Sequence, residues 1–146
     1  MDKFEFKIIP FDSPDYWNLV RLREIILRLP LFKRFVWGDL MQEKEELIMG
    51  LFDGDKIIGC MQFMIKGHTY KMRQVAIKQT YQSKGVGTQL LQHAEAHIKT
   101  LGGEKIYCHA RDTAVNFYKK NGYAIQGEMF YEVGIEHYLM EKILSN

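Results

Sequence analysis

The hydrophobic period of the chain changes at Gly85, and that change limits the folds open to it. Upstream, residues 47–52, 56–65 and 70–77 are short runs rich in Ile, Leu, Met and Phe, parted by Asp53-Gly54-Asp55 and by Gly67-His68. Turn residues between apolar runs of that length predict three consecutive antiparallel strands. Downstream, Val86, Leu90, Ala94, Ile98 and Leu101 fall on one face of a helix that Gly102-Gly103 ends. Residues 105–109 read as a short strand, so the middle of the chain is strand, helix, strand. Such a unit pairs its strands in parallel through a right-handed crossover.

The flanks extend this sheet. Residues 4–9 predict a strand ended by Pro10. Ser13-Pro14-Asp15 starts a helix, with Ser13 as N-cap and Pro14 at the first helical position. The helix should run to about Arg28 with Trp17, Val20, Ile25, Ile26 and Leu29 facing the core, until Pro30 stops it. Between Pro30 and Glu46, the cluster Phe32, Lys33, Arg34, Phe35 and Trp37, then Gly38 and Glu43-Lys44-Glu45-Glu46, suggest a loop and a short helix. Asp112 or Thr113 caps a further helix through Lys120, closed by Asn121-Gly122. Strands over 124–131 and 137–143, joined by a loop at Val133-Gly134-Ile135-Glu136, complete a mixed α/β sheet. With 146 residues, 47% of them apolar, and no repeat or linker, residues 1–146 are expected to form a single domain.

Composition excludes several roles. A net charge of +2 is far from the basic excess of a nucleic-acid binder, so no nucleic-acid partner is expected. No stretch has the roughly 18 apolar residues of a membrane span, and Met1-Asp2-Lys3-Phe4-Glu5-Phe6 lacks the apolar run of a leader, which predicts a cytoplasmic protein with no membrane partner. Cys60 and Cys108 lack metal-site spacing and read as reduced core thiols rather than nucleophiles. His93 and His97, one helical turn apart, lack a third ligand, so no metal is expected and both are read as solvated.

The informative stretch is Gln82-Ser83-Lys84-Gly85-Val86-Gly87-Thr88, between a strand and a helix. Glycines there let the backbone approach a ligand, and the free N–H groups of a helix N-terminus suit a pyrophosphate. The alternative is a loop that simply needs two glycines. The stretch is neither G-x-G-x-x-G nor a P-loop, which argues against a dinucleotide or nucleoside triphosphate.

With Arg111-Asp112-Thr113-Ala114-Val115-Asn116-Phe117-Tyr118-Lys119-Lys120-Asn121-Gly122-Tyr123 one helix further on, the chain resembles the GNAT N-acetyltransferase superfamily. Gln82, Gly85 and Gly87 match its Gln/Arg-x-x-Gly-x-Gly/Ala loop, and Ala114, Tyr118, Gly122 and Tyr123 match its Ala-x-x-x-Tyr helix ending in Gly-Phe/Tyr. The tail Gly134-Ile135-Glu136-His137 looks like the Gly-Ile-Pro-His ending of the small ElaA-like and YjcF-like subgroup. Two positions depart: Arg111 stands where the family often has Asn, and Glu136 where the subgroup has Pro.

The resemblance implies a mostly antiparallel sheet of six to seven strands with about four helices and a splayed parallel pair in the middle. It implies acetyl-CoA as acyl donor and a primary amine as acceptor, by direct attack in a ternary complex. The implied coenzyme site is Val75, Ala76 and Ile77 of one strand, Gln82, Ser83, Lys84, Gly85, Val86, Gly87 and Thr88 of the loop, and Asn116, Phe117 and Tyr118 of the later helix. A backbone N–H at Val75 or Ile77 could hold the tetrahedral oxyanion. Tyr118, protonated at neutral pH, suits a general acid for the departing thiolate, or is a helix tyrosine with a satisfied hydroxyl. Candidates for the base are Glu128, Glu132, His68 and His137. The resemblance favours His137, whose alternative is a strand-start histidine bonded to backbone. The cluster Phe32 to Trp37 either lines the acceptor side or forms a hydrophobic lid. The acceptor stays open among polyamine, amino sugar, peptide and protein lysine, and a homodimer is left open. The rival readings are a non-catalytic acyl-CoA-binding module or sensor on the same fold, and an interaction domain that binds no coenzyme.

Overall fold

The computed structural model describes residues 4–31, 33 and 35–144. Its centre is the predicted run of antiparallel strands, β2 (Leu47–Asp53), β3 (Lys56–Lys66) and β4 (Thr69–Ile77), preceded in the chain by β1 (Glu5–Ile8). Helix α3 (Val86–Thr100) leads to β5 (Lys105–Arg111), and α4 (Val115–Lys120) leads to β6 (Ala124–Glu132) and β7 (Ile135–Ile143). The seven strands form one sheet in the order β1-β2-β3-β4-β5-β7-β6. All neighbours are antiparallel except β4 and β5, which pair in parallel. This is the α/β class expected, with the parallel pair in the middle.

The two faces of the sheet carry separate cores. On one, Val86, Leu90, Leu91, Ala94 and Ile98 of α3 and Val115 and Tyr118 of α4 pack on Ile106, Cys108 and Met140 of the strands. Leu101 falls outside the expected stripe: α3 ends at Thr100, and Leu101 is exposed as its cap. On the other face, helix α1 (Pro14–Arg23) and Leu40 of α2 (Trp37–Met41) pack on Ile48, Phe52, Cys60 and Ala76. Ser13 caps α1 as expected, accepting from the Tyr16 N–H.

The expected core stripe of α1 is corrected. Tyr16, Leu19, Val20, Leu22 and Arg23 are buried, whereas Trp17, Ile25 and Leu29 are exposed. The α-helix stops at Arg23 and gives way to one π-helical turn at Glu24–Arg28, after which Ile25 and Leu29 point off the core face while Ile26 stays partly buried against it. A buried ionic cluster fixes the helix in this orientation. Arg23, with no exposed surface, donates to both oxygens of Glu43 at 2.8 and 2.6 Å and to Oε1 of Gln62 at 2.9 Å. Tyr16 donates to Glu43 at 2.8 Å, and Gln62 passes the chain of bonds to Glu46 at 2.9 Å. Burial alone would raise the Glu43 carboxyl, but the hydrogen bonds and charge of Arg23 outweigh it and hold Glu43 below the usual range.

Two further expectations change. The loop at 133–136 is only the two-residue turn Val133-Gly134, with φ of 46° and 73°, so β7 starts at Ile135. Both positions lie in the left-handed region used by the tightest hairpins. His93 and His97 are not solvated but half-buried, because the Phe6 ring stacks on His93 with centroids 5.0 Å apart and also borders His97.

Candidate active site

The sheet forks between β4 and β5. Their pairing covers only Thr69 to Met72 against Lys105 to Cys108, after which β4 continues for five residues with no β5 partner. The cause lies on the other edge of β4, where three steps from Arg73 to Ala76 face two from Gln62 to Cys60. That bulge puts Gln74 at φ 54° and bends the strand away. Beyond it, the Lys78 N–H donates to the Ile58 carbonyl at 2.8 Å. Backbone groups alternate along an extended strand, so Val75 and Ile77 turn their N–H groups into the fork. These are the two positions between which the sequence left the oxyanion donor open.

A cleft of about 700 Å³ occupies the fork, a size suited to a small-molecule ligand. Of the residues assigned to the coenzyme, Val75, Ile77, Gln82, Ser83, Gly85 and Gly87 line it, together with Thr88, Phe117 and Tyr118. Four do not. Ala76 alternates onto the opposite face and packs in the second core, and Val86 points into the first. Lys84 and Asn116 are exposed outside the cleft.

At the glycine loop, Ser83 and Gly85 take φ of 62° and 80°, left-handed turns that carry the chain from β4 round into α3. Gly85 is the N-cap of α3 and supplies no side-chain partner, which leaves the first helical N–H groups free for an anion. Gly87 sits close under Phe117: a Cβ there would lie 3.2 Å from that ring, which would have to shift by a few tenths of an ångström to admit it. Gln82 serves the loop itself, its side-chain amide donating to the Ile77 carbonyl at 2.9 Å.

Tyr118 reaches the apex of the fork. Its hydroxyl, in a residue only 7% exposed, donates to the Met72 sulfur at 3.7 Å. Burial pushes that hydroxyl well above the usual tyrosine range, so it carries its proton at every physiological pH. Cys108 also borders the cleft, and burial pushes its thiol up to about 12. Cys60, fully buried in the second core, is pushed up to about 12 for the same reason.

On the opposite wall His137, 4% exposed, bonds through Nδ1 to the Ile135 carbonyl at 2.8 Å. A carbonyl only accepts, so Nδ1 carries the proton and Nε2 is left toward the cleft, 3.8 Å from Glu132 Oε2. His137 is thus bonded to backbone and lines the cleft, and it is the third residue of β7 rather than the strand start expected. Glu132 also accepts from His109 Nδ1 at 2.9 Å. Partial burial would raise the Glu132 carboxyl, but the His109 bond and the charges of His109, His137 and Lys71 hold it below the usual range. The other two base candidates lie elsewhere. His68 bonds to Gly102 at the β3–β4 turn, and Glu128 is exposed on β6.

The aromatic cluster before α2 is split. Phe32 and Arg34 lie outside the described residues. Trp37 stacks on Trp17 at 5.4 Å away from the cleft, and Phe35 lies under the guanidinium groups of Arg23 and Arg28. The wall there comes instead from Leu27, Arg28, Leu31 and Lys33. Sequence reasoning also missed Lys71 and Arg73, which line the cleft, although they alternate with the apolar Tyr70 and Met72 on a predicted strand. Among the described residues no group of His, Cys, Asp or Glu is placed to hold a metal ion, and no helix is long and apolar enough to cross a membrane.

Comparison with known proteins agrees with this geometry. The family model of the acetyltransferase (GNAT) domain matches residues 32–144. The uncharacterized N-acetyltransferase YjcF of Bacillus subtilis strain 168 is 30% identical over 105 residues, which cover 71% of this chain and 74% of YjcF. Among solved structures, Escherichia coli ElaA superposes with a TM-score of 0.81 at 15% identity, over 95% of this chain and 99% of ElaA. An aminoglycoside 6'-N-acetyltransferase complexed with coenzyme A gives a TM-score of 0.81 at 15% identity, over 97% and 98% of the two chains. A forked parallel pair, a glycine loop opening a helix, and a family match that spans both make this chain a member of the GNAT acetyltransferase family, an enzyme of acyl transfer.

Proposed function

We propose that the protein transfers an acetyl group from acetyl-CoA directly to a primary amine within a ternary complex. The observation that carries this reading is the order of groups along one cleft. Anion-binding N–H groups sit at the glycine loop, and a protonated tyrosine hydroxyl sits beside a sulfur at the apex of the fork. The pyrophosphate would rest on the N-terminus of α3, and the pantetheine amides would pair with the open edge of β4 like an added strand.

The acceptor nitrogen attacks the thioester carbonyl, and the Val75 or Ile77 N–H holds the oxyanion that forms. The ammonium proton leaves to Nε2 of His137, directly or through one water, while ionised Glu132 steadies the imidazolium. As the C–N bond stands and the C–S bond breaks, the Tyr118 O–H donates to the departing thiolate, as it does to the Met72 sulfur in its absence. Burial holds the phenol too high to surrender its proton outright, so it stabilises the thiolate through a charge-assisted hydrogen bond and the thiolate then takes its proton from water. Direct attack is favoured over an acyl-cysteine because Cys108, with its thiol near 12, has almost no thiolate at neutral pH.

The test is release of coenzyme A thiol from acetyl-CoA across a panel of primary amines, with melting curves in parallel. Amine-dependent release is expected. Stabilisation by acetyl-CoA without release for any amine would favour the non-catalytic binding module, and neither effect would remove the coenzyme site.

A further inference from the structure

Resting on that reading, we infer that the acceptor is an amine that also carries an anionic group, a carboxylate or a phosphate. The observation is the charge of the cleft on the side away from α3. Tyr70 and Met72 of β4 pack in the first core, so Lys71 and Arg73, alternating with them, face the other side of the sheet. On β5, Ile106, Cys108 and Ala110 pack in the same core, so Arg111 faces the other side too. Arg28 and Lys33 add two cations from the segment after α1. Five Lys and Arg side chains therefore line the cleft against one carboxylate, Glu132.

Most of these cations are not held in ion pairs within the protein, although the charge of Lys71 already acts on Glu132. Arg73 has Glu46 at 3.6 Å and Arg28 lies over the Phe35 ring. Lys33, Lys71 and Arg111 have no carboxylate within 4.0 Å among the described residues. Nor do the phosphates at the glycine loop account for all of them. Lys71 lies six residues before Ile77, at most ~20 Å along β4 because the bulge at Gln74 shortens the path, which still exceeds one Debye length at physiological salt. The arrangement around Glu132 supplies the complement. Glu132 and Nε2 of His137 receive the ammonium, while Lys71 and Arg73, on the neighbouring strand, receive an anion borne by the same molecule. A purely cationic amine, such as a polyamine, would meet the five cations with no anion to offset them. Lys71 and Arg73 are here specificity residues. Tyr118, His137 and the fork donors carry the reaction whichever amine is bound.

The experiment compares amines of matched length in the thiol-release assay: an alkyl diamine, an amino carboxylate and an aminoalkyl phosphate. One or both acid-bearing amines should exceed the diamine by about tenfold or more in kcat/KM, the value of a charged hydrogen bond. Which of the two prevails identifies carboxylate or phosphate. In Lys71→Gln and, separately, Arg73→Gln, the KM of the preferred amine should rise about tenfold while that of acetyl-CoA stays within about twofold. A diamine as efficient as both acids overturns the inference and leaves the acetyltransferase reading standing. An equal rise in both KM values also overturns it, because the cations would then serve the coenzyme. Absence of release with every amine overturns the reading and this inference together.

Discussion

The two faces of the sheet are built on different principles. The face under α3 and α4 is closed mainly by apolar side chains, with Glu95 of α3 accepting from Tyr123 and Lys142 at its margin, and bears the glycine loop and Tyr118. The face under α1 is organised around a buried ion pair, Arg23 with Glu43, and opens onto the cationic wall of the cleft. Apolar burial is non-directional and tolerates drift of one element over another. A buried bidentate pair does not: it contributes little net stability compared with apolar packing, yet breaking it leaves a charge stranded in the interior. On the proposed function this contrast becomes a division of labour, with the coenzyme held by backbone on the one side and the acceptor wall set at one distance by charge on the other.

The largest effect that bears on this division is catalytic. Tyr118→Phe keeps the ring that packs against Phe117 and Tyr123 and removes only the hydroxyl. Turnover with a good amine should fall by ~10²- to 10³-fold, as for loss of one preorganised donor to developing charge, with the acetyl-CoA-induced rise in Tm unchanged. No alkaline limb from this hydroxyl should appear in the wild-type pH profile within the working range, because burial holds it so high. Wild-type turnover in the variant would return Tyr118 to a packing role.

On the other face, Glu43→Gln should cost about 3–5 kcal/mol, since Arg23 would stay buried without its counter-charge. For a chain of this size that lowers Tm by roughly 6–20 °C. The pH dependence has a definite sign. Glu43 is depressed in the folded state, so its contribution is complete above the ordinary glutamate value of about 4.3 and is lost as pH falls through the lower folded-state value. The gap in Tm between wild type and variant should be constant near neutrality and close only below about pH 4. A variant as stable as wild type would erase the contrast between the two faces.

The smallest effect concerns the loop. Gly87→Asp places a side chain 3.2 Å from Phe117 and a negative charge where phosphate belongs. At acetyl-CoA a hundredfold above its Kd the wild type should gain about 2.7 kcal/mol. The variant should gain nothing, and an unchanged thermal shift would remove the pyrophosphate from this loop.

The same division explains what could be read from sequence. The coenzyme half is local: a turn pair, a period switch and a glycine loop lie within contiguous segments, and β2 to β5 and α3 stand where those patterns put them. The acceptor half depends on partners far apart in sequence. Arg23 meets Glu43 twenty residues on and Gln62 thirty-nine residues on, so the face that α1 buries is decided by a charge that periodicity ignores. Trp17 and Ile25 looked like core and are exposed for that reason. The bulge at Gln74 was hidden too, because a glutamine at positive φ carries no compositional sign. Glu132 stood as one of four base candidates until the two-residue turn at Val133-Gly134 brought β6 back along β7 and set it beside His109 and His137.

The fork also bears on how the protein avoids sticking to other proteins. Unpaired strand edges are templates for intermolecular pairing, and most sheets guard the two at their rims. This sheet has two more, the open stretches of β4 and β5, facing each other across its middle. A guest strand between them needs roughly 9.5 Å, two inter-strand spacings, and another protein could enter only by threading a single extended segment into the slot. A narrow ligand can bond to those edges where a second sheet cannot, so the opening that admits the donor also excludes aggregation through the same hydrogen-bonding groups.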